Sequence, residues 1–341
     1  MNSKKKDGKV FYKYQTINEH LFESLKNNQL YFSDPRNFND PLDSVIDGYY
    51  EGTNYEWLKS PNVDDIREIE VGIKISFLKR NGEKIRYDIP KIGEHFGISY
   101  IPLTCSFSER RDNILMWSHY ANDHKGVCLC FKSKYKPSPP KQEPEYEYVL
   151  TINLEDAPLY KIKYQNVAPK KLNFLDKSYH KRVPEFMLTK SLDWEYEKEY
   201  RTVLPEEWTP NKNNFEKEEL EGIIFGLNRT YKGAYKDVCE VYKVIKENYL
   251  SERIHIDFYR TVRVVGKYKG TYKIRIVKID NINRYLQLVK DAELNIHLQI
   301  WKPRNTTAFI YERCLDKYIK PIDRELFEYL QNWIPLNPRQ M

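Results

Sequence analysis

At 341 residues, 40% hydrophobic and 14% aromatic, the chain has enough apolar material for one large core or two ordinary ones, which excludes an intrinsically disordered protein. Five cysteines (105, 128, 130, 239, 314) form no C-x-x-C pair, and no run of about 18 apolar residues follows the basic start Met1–Lys9. A zinc ribbon, a membrane span and export are thereby set aside for a reduced, cytoplasmic setting. The formal net charge of +7 lies at one end: residues 1–241 hold 37 Lys and Arg against 38 Asp and Glu, whereas residues 242–341 hold 19 against 11.

The first predicted strand is Val10–Tyr14, and Asn18 is placed to cap a helix over Glu19–Asn27 with Leu21, Phe22 and Leu25 on one face. Leu30–Ser33 reads as a second strand. Asp34-Pro35 and Asn39-Asp40-Pro41 then punctuate a loop, because Asn and Asp bond their own backbone and Pro cannot continue a ladder. Residues 50–98 show little beyond a strand and a turn at Asn81-Gly82.

The richest stretch is Pro102–Phe131. It reads as a strand ending at Ser108, a helix over Asp112–Ala121, then Gly126 and an apolar strand Val127–Phe131. Residues 134–148 read as an exposed loop, Tyr160–Tyr164 as a strand, and Asp176–Thr189 as a helix that Pro184 kinks or restarts. The acidic segment from Trp194 turns strand-like by Arg201–Leu204. Gly222–Leu227 is a buried strand, Ala234–Asn248 a helix, and Ile254–Tyr259 with Tyr272–Val277 a hairpin turning at residues 267–270. Beyond Asp280 the pattern is mixed and ends in a helix near Asp323–Trp333.

Several chemistries lack their motifs: there is no P-loop, no G-x-G-x-x-G, no H-E-x-x-H and no G-x-S-x-G. What is present is a series of ordered strings. They are Tyr12-Lys13-Tyr14, Phe32-Ser33-x-Pro35-x-x-Phe38-Asn39-Asp40-Pro41, Ser106-Phe107-Ser108-Glu109, Met116-Trp117-Ser118-His119-Tyr120-Ala121 with His124-x-Gly126, and Trp194-x-Tyr196-Glu197-x-Glu199-Tyr200-Arg201. Over about residues 10–280 the chain resembles the bacterial domain-of-unknown-function family 2971, a likeness that supplies no activity.

A more distant resemblance is to ADP-ribosyltransferases of the arginine, serine, glutamate type. It rests on chain order: Tyr12-Lys13 on a first strand, Ser106-Phe107-Ser108 at a strand end, and Glu197-Lys198-Glu199 opening a later strand. That resemblance implies NAD as donor. Glu199 is the carboxylate that steadies the oxocarbenium-like ribose, and Glu197, two residues earlier on the same strand face, orients or deprotonates the acceptor. Ser106 or Ser108 holds Glu199 and the ribose in register, while Lys13, beside Tyr14, pairs with the pyrophosphate. Position 13 is lysine where that superfamily carries arginine, so a point charge replaces a bidentate fork.

Trp117 and Tyr120 share a helix face that either stacks on nicotinamide or adenine or packs onto the sheet. His119 and His124 are candidate general bases. Asn39 and Asp40 form either a structural Asx turn or a substrate-facing loop, and Trp194 with Tyr196 either a mobile flap or a staple.

The expected fold is α+β: a mixed, split β-sheet core with flanking helices, ADP-ribosyltransferase-like, over residues 8–280, plus a basic α/β C-terminal extension, mostly helical over residues 281–341. The expected function is an NAD-dependent transferase or NAD glycohydrolase with no metal, suited to a toxin or anti-phage defence effector. Its acceptor would be nucleic acid or a nucleic-acid-bound protein. Two alternatives stay open. One is a non-catalytic nucleic-acid-binding or sensor module using the basic stretch Arg253–Arg284, with lysine-rich solubility as the plain reading of that stretch. The other is a metal-dependent nuclease using Glu197 and Glu199. Residues 285–341 carry no assigned purpose.

Overall fold

The computed structural model describes residues 7–53, 55–56, 84–88, 102–204, 213–228, 231–265 and 272–301. Its early strands are β1 (Val10–Gln15), β2 (Gln29–Leu30), β3 (Gly48–Gly52), β4 (Ile85–Asp88), β5 (Thr104–Ser108) and β6 (Val127–Lys132). The middle of the chain adds β7 (Lys134–Tyr135), β8 (Tyr148–Ile152), β9 (Glu155–Lys161), β10 (Lys163–Tyr164), β11 (Leu172–Asn173) and β12 (Thr189–Lys190). Then come β13 (Glu199–Val203), β14 (Asn213–Asn214), β15 (Leu220–Phe225), β16 (Asp257–Val265) and β17 (Tyr272–Lys278). The helices are α1 (Glu19–Lys26), α2 (Ile114–Tyr120), α3 (Val183–Met187), α4 (Ala234–Asn248) and α5 (Ile282–Trp301). The α+β class therefore stands. Among the described residues no helix is long and apolar enough to cross a membrane.

Local chemistry explains most of the elements. Asn18 caps α1 by accepting from the Leu21 amide at 3.0 Å, and Leu21 and Leu25 are buried as their spacing requires. Asn113 caps α2 in the same way through Leu115. Four expectations need correction. The strand at Leu30–Ser33 shrinks to β2, with Ser33 making only an isolated bridge to Thr104. The loop after residue 134 begins with β7, which pairs with β8. The helix over Asp176–Thr189 is a 3-10 turn, Tyr179–Arg182, followed by the five-residue α3. Pro184 sits in the first turn of α3, where its missing N–H leaves no bond unmade. Over Ile282–Trp301 the pattern read as mixed is instead the 20-residue α5. The turns at Asn81-Gly82 and at residues 267–270, and the helix near Asp323–Trp333, lie outside the described residues.

The chain divides into two units. The first comprises Met1–Phe11, Asn27–Arg110 and Phe131–Glu219. Its strands run β5-β13-β9-β8-β7, each antiparallel to the next. Edge-on aromatic rings fill its core: Phe11 lies against Tyr200 at 4.8 Å, Phe131 against Phe215 at 5.1 Å and Phe107 against Phe131 at 5.6 Å. A second apolar cluster gathers Tyr50, Leu172 and Phe174 from β3 and the β11 region with Phe186 and Met187 of α3.

The second unit comprises Tyr12–Lys26, Arg111–Cys130 and Leu220–Met341. Its strand order is β17-β16-β15-β6-β1, with β15 and β16 parallel and β16 and β17 antiparallel; a hairpin is present, but Tyr272–Val277 pair with residues 260–265 rather than with Ile254–Tyr259. The crossover from β15 to β16 contains α4, which buries Val238, Val241, Val244 and Ile245 at helical spacing. Tyr249 at its end donates to the Leu25 carbonyl of α1 at 2.9 Å. Gly226 packs so closely that a Cβ there would lie 2.2 Å from the His124 carbonyl oxygen.

Candidate functional site

The two strands that carry the serine and glutamate motifs are neighbours in the first unit. β5 and β13 pair antiparallel with Glu199 opposite Ser108, Arg201 opposite Ser106 and Val203 opposite Thr104. Directly opposed residues share a face and side chains repeat every second residue, so Thr104, Ser106, Ser108, Glu199 and Arg201 line one side. Phe107 and Tyr200 occupy the other, against the aromatic core. The polar side is nevertheless buried: Arg201 is 1% exposed and Glu199 5%.

Burying such groups requires pairing, and the partners come from far along the chain. The Arg201 guanidinium reaches Glu199 with Nε at 2.7 Å and Nη2 at 3.2 Å. It holds Asp43 with a second fork, Nη1 at 2.8 Å and Nη2 at 2.5 Å, and Nη1 also donates to Ser44 Oγ and the Met187 carbonyl. Lys190, at the end of β12, places its ammonium 2.7 Å from Glu197, 3.3 Å from Glu199 and 3.3 Å from Asp43. The Trp194 ring covers that ammonium at 4.9 Å.

Asp43 is aimed by its own turn. Asp40 accepts from the Leu42 amide at 2.9 Å and, through its carbonyl, from the Asp43 amide at 3.1 Å. Asp40 thus makes the structural Asx turn, while Asn39 beside it is exposed.

Glu197 is not on the strand with Glu199, contrary to the period-two expectation. It ends the 3-10 turn Leu192–Glu197, and Lys198 follows at φ 46°, a left-handed reversal that breaks the strand register. The two carboxylates still meet, because both reach Lys190. Ser108 is spent on this turn, donating to the Glu197 carbonyl at 2.6 Å and accepting from the Arg110 amide. The Glu199 amide donates to the Tyr164 hydroxyl at 2.8 Å. Trp194 and Tyr196 pack ring against ring at 5.9 Å, and with Trp194 lying on Lys190 they have the geometry of a staple.

The electrostatics follow from burial and partners. Burial alone would raise the Glu199 carboxyl. The charges of Arg201 and Lys190, with hydrogen bonds from Arg201 and Ser106, override it and bring the pKa down to about 2. Burial would likewise lower the Lys190 ammonium, but Glu199, Glu197 and Asp43 raise it above its ordinary value. Lys190 therefore stays charged and is no general base. Glu199 is a permanent carboxylate, held in place before any ligand arrives.

The remaining sequence candidates belong to the second unit. Trp117 is 0% exposed, donates to the Arg111 carbonyl at 2.9 Å and meets Tyr14 edge-on at 5.1 Å. A ring with no exposed face offers nothing to stack on, and Tyr14, 8% exposed, is its packing partner. Lys13 and Tyr120 are half-buried, and Tyr120 lies edge-on to the exposed His119. His124 Nε2 is 3.1 Å from Ser118 Oγ, its Nδ1 is buried without a partner, and burial lowers its pKa. Among the described residues no group of three or more His, Cys, Asp or Glu is placed to hold a metal ion.

Sequence reasoning missed Asp43 and Lys190 and gave Arg201 no role. Arg201 was accessible through its two-residue spacing from Glu199; Lys190 carried no signal at all. No curated protein and no solved structure matches the chain. Residues 116–202, which carry Met116–Tyr120 of α2, Lys190, Glu197, Glu199 and Arg201 but neither Asp43 nor Ser106, match the family model of the protein of unknown function DUF2971, and it is to that family that the chain is similar.

Proposed function

We propose that the polar face of β5 and β13 is the catalytic face of an NAD-dependent, ADP-ribosyltransferase-like protein acting as a transferase or an NAD glycohydrolase. The observation that carries this reading is Glu199 itself: a carboxylate fixed by Arg201 and Lys190, kept ionised far into acid, with Ser106 hydrogen-bonded at its side. Cleavage of the bond between the ribose C1′ and nicotinamide sends the bonding pair out with nicotinamide and leaves positive charge on the ring. A pre-set anion in a dry surrounding stabilises that charge without reorganising first. The acceptor oxygen or nitrogen, or water, then bonds to C1′ and releases its proton to Glu197.

The test is incubation of the full chain with NAD labelled in the adenylate part, following nicotinamide release and label transfer to nucleic acid and to protein. Wild type is expected to exceed Glu199→Gln by at least about 100-fold, the scale of losing one electrostatic contact in a transition state. Equal background from both would end the enzyme reading.

A second reading has its own observation. Lys273 and Arg275, two apart on β17, are exposed on one face, and Arg263 of β16, registered opposite Ile274, is exposed on the other. They fit a non-catalytic module that contacts the phosphates of nucleic acid, with affinity falling steeply as salt rises. Charge reversal at Arg263, Lys273 and Arg275 that leaves binding to duplex DNA and its salt slope unchanged would dismiss it. Lys267 and Lys269, in the same basic stretch, lie outside the described residues.

A further inference from the structure

Among the described residues, three buried carboxylates gather around two buried cations. Two cations, Lys190 and Arg201, face Asp43, Glu197 and Glu199, and all five side chains are at least nine-tenths buried. A surplus charge is unfavourable in a medium that screens weakly, so one member of the set opposes the packing. Glu197, Glu199, Arg201 and Lys190 come from strands and the turn just before β13. Asp43 alone arrives from an irregular loop.

That loop buries little apolar surface of its own. Between Phe38, whose ring lies 5.2 Å from the Arg201 guanidinium, and Ile46, which joins an apolar cluster, the chain exposes Leu42 by 78% and Val45 by 43%. Lifting this segment therefore sacrifices little buried apolar surface. Ser44 sits at φ 60°, a left-handed conformation that a serine adopts only under constraint, and its hydroxyl is tied to Asp43 and Arg201. Segments with few buried apolar contacts are those that open locally.

We propose that Asp43 is an internal latch: its carboxylate occupies the place on Arg201 and Lys190 that a phosphate or pyrophosphate group of a ligand takes, and the segment between Phe38 and Ile46 lifts to admit it. The two-pronged grip of Arg201 on Asp43 is the geometry in which a guanidinium grips phosphate oxygens, with Lys190 as the point charge beside it. A phosphodiester group with a single negative charge, set in place of the Asp43 carboxylate, leaves the charge balance of the cluster unchanged. Removal of Asp43 leaves two cations against two carboxylates. The latch also supplies what the transferase reading requires, a route from solvent to Glu199; in taking NAD as the natural ligand, it rests on that reading.

The experiment compares the full chain with Asp43→Asn and with Asp43→Asn/Lys190→Met, using hydrogen exchange and titration with inorganic pyrophosphate. Asp43→Asn is expected to speed amide exchange between Asn39 and Val45 by at least tenfold while β5 and β13 keep their protection. It is also expected to bind pyrophosphate at least tenfold more tightly than wild type, and the added Lys190→Met to abolish that gain. Unchanged exchange, equal loosening of β13, equal pyrophosphate affinity or unfolding of Asp43→Asn would each overturn the latch, since a latch is dispensable to the fold. A faster loop and gained pyrophosphate binding, without nicotinamide release from NAD, would uphold the latch and remove the transferase reading.

Discussion

Replacing Arg201 by leucine isolates the force that holds the first unit's polar face together. The guanidinium is 1% exposed and is the partner of two carboxylates, Asp43 and Glu199, in four hydrogen bonds between 2.5 and 3.2 Å. Leucine fills part of the space but leaves Lys190 to face three buried carboxylates, and the Met187 carbonyl and Ser44 hydroxyl lose their donor. Removing one partner of a buried pair costs about 3–5 kcal/mol, because the charge left behind is uncompensated. For a unit of this size each kcal/mol moves the unfolding midpoint by roughly 2–4 °C, so a fall of roughly 6–20 °C is expected. Thermal unfolding followed by circular dichroism, with calorimetry to separate the two units' transitions, measures it. A change of less than about 1 kcal/mol, the scale of an exposed ion pair, would refute the claim that this cluster is dry and mutually dependent.

Two further outcomes follow from the geometry. Glu199 titrates near 2 in the folded chain against an ordinary 4.5, so its contribution is complete above about 4.5 and drains away as the pH falls toward 2. The midpoint of wild type should stay flat from neutrality to about pH 5 and fall below it, and Glu199→Gln, which no longer titrates, should flatten that acid limb; an unchanged limb would show that other carboxyls govern acid unfolding. Gly226→Ala puts a methyl group 2.2 Å from the His124 carbonyl oxygen, a backbone atom that cannot swing aside. About 1–3 kcal/mol of destabilisation in the second unit is expected by denaturant titration, and a neutral result would mean that the strand-to-loop junction is looser than drawn.

What could be read from the chain was mostly what is local. The Asn18 cap with Leu21 and Leu25, the Asn113 cap, and the spacing of Val238, Val241 and Ile245 all depend on neighbours within four residues, and α1, α2 and α4 appear where those residues put them. The helix α5 carried the same kind of signal, since Asn281 caps it through Arg284 and Tyr285 and Val289 are buried four apart. Glu197 was misplaced because lysine has no special liking for positive φ, so nothing in the string Glu197-Lys198-Glu199 announces the reversal at Lys198.

The cluster itself shows where local reading must stop. A motif of alternating acids looks the same whether its carboxylates face water or a buried cation, and only the cation decides which. Here the cations are Arg201, two residues away in the same strand, and Lys190, which reaches the site because β12 pairs in parallel with β10. Asp43 comes from 158 residues away to close the set. Each of these meetings is fixed by the sheet register and by the apolar clusters beneath it, so the electrostatics of Glu199 are a product of packing. By the same reasoning, a substitution that disturbs that packing, such as Met187→Ala in the cluster below Arg201, should alter the acid limb of Glu199 without touching a charged group; an acid limb identical to wild type in that variant would mean that the charges hold their places unaided.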